Sequence, residues 1–461
     1  MSVKPKIGLL PLYIELYYSS SPDMTPVVTK FRDTIAGQLR DEGLDVLAAP
    51  VCAVRPEFEA AVKSFEDAGC CAIVTLHLAY SPSLESSDAL AKTRLPIIVL
   101  DTTPTLSFTP SVDAGPAINY NHGIHGVQDM CNLLCRNGKD FTIFAGHHVY
   151  SDVIKQAADA CRAAAAAERL KGMKTALIGE PFKGMGDFDC GTEALASLGV
   201  EVIKCMPGEI KPFVVVDTEI KEEYELDKKR FDVSGVSYAD YEKTERVALA
   251  VREWIDQNGI GAFTMNFQSA GLVRGFDTMP FTEASKAMAR GIGYAGEGDL
   301  LTASVCGAMV GVFPDATFME MFCPDWAGNH VYFSHMGELN LRAMQRGHMA
   351  LPPFSFAPCF APTRVYGVFK PGKATIVNTA PTADGFRLVL AEGRMIDLPK
   401  DIGSFGGAIS GWFKPNIPVA QLLKKYSMAG GTHHSVLVYG ASAESLSVFG
   451  KQIGAEVCVI E

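Results

Sequence analysis

Residues 70–79, CCAIVTLHLA, and 96–103, PIIVLDTT, are two short and almost wholly apolar runs separated by a stretch of mixed polarity. Runs of this length, rich in β-branched residues and without alternation, read as strands buried on both faces, as in a parallel sheet covered by helices. Working outward, the same texture occurs at 6–14 (KIGLLPLYI), 44–51 (LDVLAAPV) and 141–148 (FTIFAGHH). Between the first two of these, Val27, Val28, Phe31, Ile35 and Leu39 recur at helical spacing. Further helices are expected over Glu57 to Ala68, Gly123 to Leu134 and the alanine-rich Val153 to Leu170. Strands alternating with helices define an α/β domain with a wound parallel sheet.

A second α/β unit starts at 174–180, KTALIGE, and runs through a helix at Thr192 to Leu198, the strand EVIKC, a charged stretch from Lys221 to Lys229 and a helix at Tyr241 to Asn258. The strand GAFTMNF at 261–267 then leads into a glycine-rich segment. From Ala316 the texture becomes β-rich, with TFMEMF, HVYFSHM, TRVYGVF, ATIVNT and FRLVLAEGRMI punctuated by Pro, Gly and Asp. Val419 to Tyr426 reads as a helix, HHSVLVYG as a strand, and a helix–strand pair closes the chain. The expected fold is therefore α/β: two doubly wound α/β domains, 1–172 and 173–315, followed by a C-terminal β-barrel-like domain, 316–461.

Composition narrows the function classes. A 461-residue chain with 48% hydrophobic and 20% charged residues has ample core-forming material for several domains. Its net charge of −11, with no Lys/Arg cluster, excludes nucleic acid and membrane surfaces as expected partners. The start MSVKPKIGLLPLYI has no small-residue cleavage site, and no apolar run approaches the roughly 18 residues of a membrane span, so a cytoplasmic protein is expected. The twelve cysteines lie mostly within apolar elements and form no CxxC pair, which suits buried thiols in a reduced compartment.

Chemistry concentrates in the last third. Glu297 in YAGEGD precedes an apolar helix, the flanking glycines permit a tight turn, and Asp299 is placed to cap that helix. Glu320 interrupts the apolar run 316–323, where period-2 alternation puts it on the face of Phe318; a carboxylate there needs an ion, an arginine or a proton to compensate it. His335 follows in VYFSHMGE, and His433 and His434 in GGTHHS. Adjacent strand residues face opposite ways, so at most one of that pair joins Glu320 and His335, and the other meets substrate or packs. Taken singly, each of these residues has an ordinary structural explanation. Together, two carboxylates and two imidazoles make a divalent-metal set that leaves about two positions for a chelating polyol or sugar.

Elsewhere, His77, His122, His125, His147 and His148 stand at strand ends and loops of the first unit, where open α/β sheets place ligand contacts, and His122 suits sugar recognition. There is no GxSxG elbow, no GxxxxGK[ST] loop and no GxGxxG fingerprint, which argues against acyl transfer, phosphate cradling and a nicotinamide cofactor.

In order and separation, YAGEGD, FMEMF, SHMGE and GGTHHS resemble the L-arabinose isomerase family, and LHLAYSP, NYNHG and NFQ…GL…MP extend the resemblance over most of the chain. That resemblance implies three domains assembled as a homotrimer or homohexamer, with the active site at a subunit interface. It also implies a Mn²⁺-type ion, with Co²⁺ or Mg²⁺ as alternatives, held by Glu297, Glu320, His335 and His434. Tyr80 and His122 would reach a neighbouring subunit's site; Met185 and Phe267 match pocket positions, and His433 remains for substrate. The implied reaction is aldose–ketose isomerisation of a free pentose, hexose or deoxysugar. The ion would chelate O1 and O2 and stabilise an enediolate, while Glu297 and Glu320 manage the C2 and hydroxyl protons. The start lacks the family's QHLYG, Tyr80 stands for a phenylalanine, and FCPDWAGNH at 322–330 matches no family segment, so the sugar is left open. The competing expectations are an epimerase or lyase on an uncommon sugar or sugar acid, and a non-catalytic sugar-binding protein.

Overall fold

The computed structural model describes residues 4–110, 117–206, 208–272, 276–355, 357–399 and 409–461. It divides into two compact units, one running to Glu168 and including 444–452, the other comprising 169–443 and 453–461.

The first unit carries a five-stranded parallel sheet of β1 (Lys6–Leu12), β2 (Asp45–Ala48), β3 (Ile73–His77), β4 (Ile97–Asp101) and β5 (Phe141–Ala145), in the order β2-β1-β3-β4-β5. The two apolar runs at 70–79 and 96–103 supply the interior strands β3 and β4, which is why they lack alternation: β3 is buried at every residue. Helices cover the sheet as the periodicity predicts, over Met24–Asp41, Arg55–Asp67, Gly123–Arg136 and Val153–Leu170. Their apolar stripes close the core; Phe65 packs so tightly over β1 that a Cβ on Gly8 would lie 2.4 Å from its ring.

The second unit contains a four-stranded parallel sheet of β6 (Lys174–Ile178), β7 (Glu201–Lys204), β9 (Ala262–Met265) and β10 (Gly293–Gly296), ordered β10-β9-β6-β7. It also contains a small sheet in which β8 (Asp232–Gly235) pairs in parallel with β13 (Met344–Ala350), itself antiparallel to β14 (Arg364–Phe369). A large mixed sheet comprises β11 (Thr317–Asp325), β12 (His330–Ser334), β15 (Gly372–Thr382), β16 (Gly385–Met395), β17 (Gly411–Pro415), β18 (His434–Tyr439) and β19 (Glu456–Ile460), in the order β15-β18-β11-β12-β17-β16-β19. All its pairings are antiparallel except β16–β19, and β15 pairs with β16 as well as with β18.

The helix Leu300–Val310 is buried on all sides and touches both the four-stranded and the large sheet. Two glycines let it approach the backbone of β10: a Cβ on Gly293 would lie 2.2 Å from the nitrogen of Gly307. This close packing fixes the loop between β10 and the helix, which carries Glu297. All twelve thiols are free, and no helix among the described residues is long and apolar enough to cross a membrane.

Candidate active site

Glu297 sits between the end of β10 and the buried helix, in the left-handed region with φ 65°. An L-residue pays for that conformation, so the loop has to be held from several sides. The Glu297 N–H donates to Met265 O (3.0 Å), its carbonyl accepts from Phe182 N (2.8 Å), and Gly298 N–H donates to Thr264 Oγ1 (3.0 Å). Gly298, at φ 88°, lies so close to Pro181 that a Cβ would come within 2.4 Å of its Cα. The carboxylate is thereby aimed by backbone on both sides.

Strand pairing brings up the other groups. In β11, Glu320 is in register with Ser334 of β12 and with His434 of β18, so the residue after β12, His335, and the first residue of β18 flank the same carboxylate. Phe318, two residues before Glu320 and on its face, packs edge-on against the rings of His335 and His434, at 4.8 and 5.0 Å between centroids. Phe188 stacks on His434 with its plane within 9°. His335 Nε2 lies 3.8 Å from Glu320 Oε2, and His434 Nε2 lies 3.6 Å from Glu297 Oε2.

Each of the three imidazoles has a carboxylate on its other nitrogen. Asp299 Oδ2 meets His434 Nδ1 at 3.0 Å, Glu338 Oε2 meets His335 Nδ1 at 2.7 Å, and Asp187 Oδ2 meets His433 Nδ1 at 2.6 Å. Asp299 also caps the buried helix, accepting from Thr302 N at 2.8 Å, and Glu338 accepts from Tyr294 OH at 3.1 Å. A carboxylate on Nδ1 fixes the tautomer that leaves Nε2 as a lone-pair donor, the arrangement of metal-bound histidines. His434 Nε2 is buried and finds no hydrogen-bond partner among the described residues. An orphaned buried nitrogen beside two carboxylates is what a cation ligand looks like before the ion is added.

Two groupings with ligand atoms mutually within 4.8 Å share this histidine: Glu320–His335–His434 and Glu297–His433–His434. His434 is thus the common vertex of the two groupings. Only His434 belongs with Glu320 and His335. His433 nevertheless turns the same way, with Nε2 3.6 Å from Glu297 Oε2, because it precedes the first residue of β18 and strand alternation does not govern it.

Charge around these groups is unbalanced toward carboxylate. Burial alone would disfavour protonated His335, but Glu338, Glu320 and Glu297 outweigh it and lift its pKa to about 9. Burial likewise opposes the charge on His433, yet Asp187 and Glu297 raise it to about 10. Burial pushes Asp187 up, and His433 more than reverses this, to about 2; for Glu297 burial raises and the three imidazoles lower, with a net direction downward. The pocket holds spare positive charge only by retaining protons, and a divalent cation would replace them.

Of the remaining expected residues, Phe267 follows β9 and lies 5.7 Å from the ring of Phe182, whose N–H holds Glu297; Met185 follows in the same loop as Phe182. Tyr80 and His122 lie in the first unit, beyond the carboxyl end of β3. There Tyr80 OH donates to Asp129 Oδ2 (3.3 Å), His122 Nε2 is 3.2 Å from Tyr17 OH, and His125 stands between them. Strands β1 and β3 flank the point where the sheet order reverses, the usual ligand position of such sheets. Asp187, Phe188 and Glu338 are not among the residues the sequence singles out. Glu338 carried a readable signal, standing three residues after His335 within SHMGE, whereas Asp187 lies in a distant acidic loop.

Convergent carboxylates and imidazoles are the groups of an acid–base enzyme, and sequence comparison gives the family. A model of the L-arabinose isomerase central domain matches residues 192–313, and one of the L-arabinose isomerase C-terminal domain matches 315–456. An L-arabinose isomerase of Shewanella sp. (strain MR-4) is 26% identical over 362 residues, covering 75% of this chain and 71% of the relative. One from Nocardioides sp. (strain ATCC BAA-499 / JS614) is 24% identical over 408 residues, covering 85% and 80%. Among solved structures, a glucose-galactose binding protein from Geobacillus stearothermophilus aligns over 67% of this chain and 89% of its own at 13% identity and a TM-score of 0.16, too slight a likeness to carry an argument. The chain belongs to the L-arabinose isomerase family as a divergent member, and it is a sugar isomerase interconverting an aldose and a ketose.

Proposed function

We propose that the isomerase is dependent on a divalent metal and acts on a free pentose, hexose or deoxysugar, with Glu297, Glu320, His335 and His434 as ligands of a Mn²⁺-type ion. The observation that carries this reading is the buried, partnerless Nε2 of His434 beside Glu297, with its tautomer set by Asp299. When bound, a hard divalent cation supplies Lewis-acid stabilisation of negative charge on the sugar's reacting oxygens. One of the two glutamates takes the proton from C2 and returns it to C1, and the other handles the hydroxyl proton. His433, backed by Asp187, faces Glu297 and holds a substrate hydroxyl. Phe267 and Met185 shape the pocket and exclude water from it. Tyr80 and His122 serve the site of another copy in a homotrimer or homohexamer, and the enzyme works in the cytoplasm. The division at 172 and 315 stands as our reading of the domains, and the circuit β15-β18-β11-β12-β17-β16, returning to β15, supports a barrel-like C-terminal domain.

The test is a panel of aldoses supplied with Mn²⁺, Co²⁺ or Mg²⁺, the products being identified by NMR in D₂O. A ketose carrying solvent deuterium, formed only with metal and absent with Glu297→Gln or Glu320→Gln, is expected. Turnover in metal-stripped protein would overturn the metal assignment, and a product inverted at C2 with its carbonyl still at C1 would make the enzyme an epimerase.

A further inference from the structure

The loop 181–190 is mostly exposed, yet it touches three residues of the site. Phe182 N–H donates to the carbonyl of Glu297 (2.8 Å), Phe188 stacks on His434 with ring centroids 5.5 Å apart, and Asp187 holds His433. A single oxygen, Asp187 Oδ2, accepts from the backbone N–H of His433 (2.9 Å) and lies 2.6 Å from its Nδ1. Contacts from one carboxylate oxygen to both the backbone and the ring fix the direction in which Nε2 points.

That direction is toward Glu297. His433 Nε2 and His434 Nε2 each lie 3.6 Å from the same atom, Glu297 Oε2. The two histidines differ in their access to solvent: the side chain of His434 is completely buried, whereas those of His433 and Asp187 are 31% and 40% exposed. A buried nitrogen suits a resident ion, and a nitrogen at the rim suits a molecule that enters and leaves. The separation of His433 Nε2 from Glu297 Oε2 is longer than a hydrogen bond, and a hydroxyl beside both can donate to the carboxylate and accept from the imidazole N–H. Because Glu297 is also an ion ligand in the function proposed above, a hydroxyl that meets both atoms stands within a few ångströms of the ion. On a sugar chelated through O1 and O2, the next hydroxyl that close is the one on C3.

We propose that His433, aimed by Asp187, reads the hydroxyl on C3 of the sugar, which makes Asp187 a specificity-determining positioning residue; this rests on the metal-dependent isomerase reading above. The ring touches the substrate, and the carboxylate acts only through the ring. A sugar without that hydroxyl leaves Nε2 and Oε2 lacking their shared partner, and a site built to hydrogen-bond a hydroxyl discriminates strongly against the analogue that lacks it.

The test compares, with Mn²⁺, the sugar that wild type isomerises best and its 3-deoxy analogue, in wild type and in Asp187→Asn. In the variant kcat/KM for the best sugar should fall about 10- to 100-fold, as for loss of other groups that orient a site residue. The 3-deoxy analogue, with no such hydroxyl to lose, should keep its wild-type kcat/KM; where its turnover is too slow to follow, its inhibition constant against the best sugar gives the same comparison and should be equal in the two proteins. Affinity for Mn²⁺, titrated by calorimetry, should also be unchanged, because Asp187 orients none of the four ion ligands. Asp187→Ala, checked like the first variant for folding by urea unfolding, should behave in the same way. Equal loss for both sugars, or no loss for either, would overturn the proposal, and a fall in Mn²⁺ affinity would overturn it by making His433 an ion ligand. Failure of wild type to isomerise any sugar with Mn²⁺ is a different result, which would remove the reading on which the proposal stands.

Discussion

Asp299 Oδ2 lies 3.0 Å from His434 Nδ1, and both side chains are completely buried. The same carboxylate caps the helix Leu300–Val310, so one residue orients the imidazole and anchors the element beneath it. Asp299→Asn keeps a cap acceptor but removes the charge that fixes the tautomer of His434. Affinity for Mn²⁺ is expected to fall about 10- to 100-fold, as for loss of other carboxylate partners of metal-bound histidines. Calorimetric titration of Mn²⁺ into wild type and variant checks this; equal affinity would deny Asp299 the orienting role.

Glu297 holds a left-handed backbone conformation that glycine adopts freely. Glu297→Gly and Glu297→Ala both delete the carboxylate and should both abolish turnover. They differ only in the backbone, and the glycine variant should be the more stable by about 1 kcal/mol. The comparison is read by urea unfolding of the two inactive proteins side by side. A more stable alanine variant would mean that the loop relaxes once the side chain is gone.

Lys286 is buried to 4% exposure and contacts Asp227 Oδ2 at 2.7 Å and Glu223 and Glu245 at 2.9 Å each. These three carboxylates have metal-like spacing, but the ammonium already occupies their centre, so the cluster is structural. Burial alone would favour loss of the proton from Lys286, and the three acids outweigh it and raise its pKa. Lys286→Met leaves those charges uncompensated and should destabilise by about 3–5 kcal/mol. Adding Glu245→Gln should recover part of this, since burial already raises the pKa of Glu245. Chemical unfolding of the single and double variants measures both effects.

How far the sequence could be read follows from how each element is buried. β3 and β4 are legible because burial on both faces leaves continuous apolar runs, and the helix Val153–Leu170 because its run of alanines is a strong helix former. The sequence reads Lys221 to Lys229 only as a charged stretch; the structure has a helix at Asp217–Asp227 whose buried residues are just Ile220 and Asp227, too few for a periodic signal. β13, MQRGHMA, is half-exposed and pairs with the distant β8, and no local pattern announces it. Within the site, Glu320 is visible as a polar interruption of an apolar run, whereas Glu297, His335 and His434 stand out only as members of one carboxylate–imidazole set. Asp187 is not, because an acid in a glycine-rich loop is ordinary until folding brings it 2.6 Å from a histidine 246 residues away.

His77 ends β3 and is fully enclosed, with neither ring nitrogen hydrogen-bonded among the described residues. The helix Gly123–Arg136 packs directly over it: a Cβ on Gly126 would lie 2.4 Å from its ring. Burial pushes its pKa down to about 3 and outweighs the opposing charge of Asp129. A base whose folded pKa is depressed keeps its full stability above the unfolded value of about 6.5 and loses it as pH falls toward the folded value, because there only the unfolded chain takes up the proton. Between pH 6.5 and 5 the linked loss is of the order of 2 kcal/mol, at 1.36 kcal/mol per unit. His77→Leu removes the titrating ring at similar bulk, so wild type should lose about 2 kcal/mol relative to this variant between pH 7.5 and 5. Urea unfolding at the two pH values, followed by a probe in the first unit, makes the comparison. Parallel loss of stability in both proteins would assign the acid sensitivity to other groups.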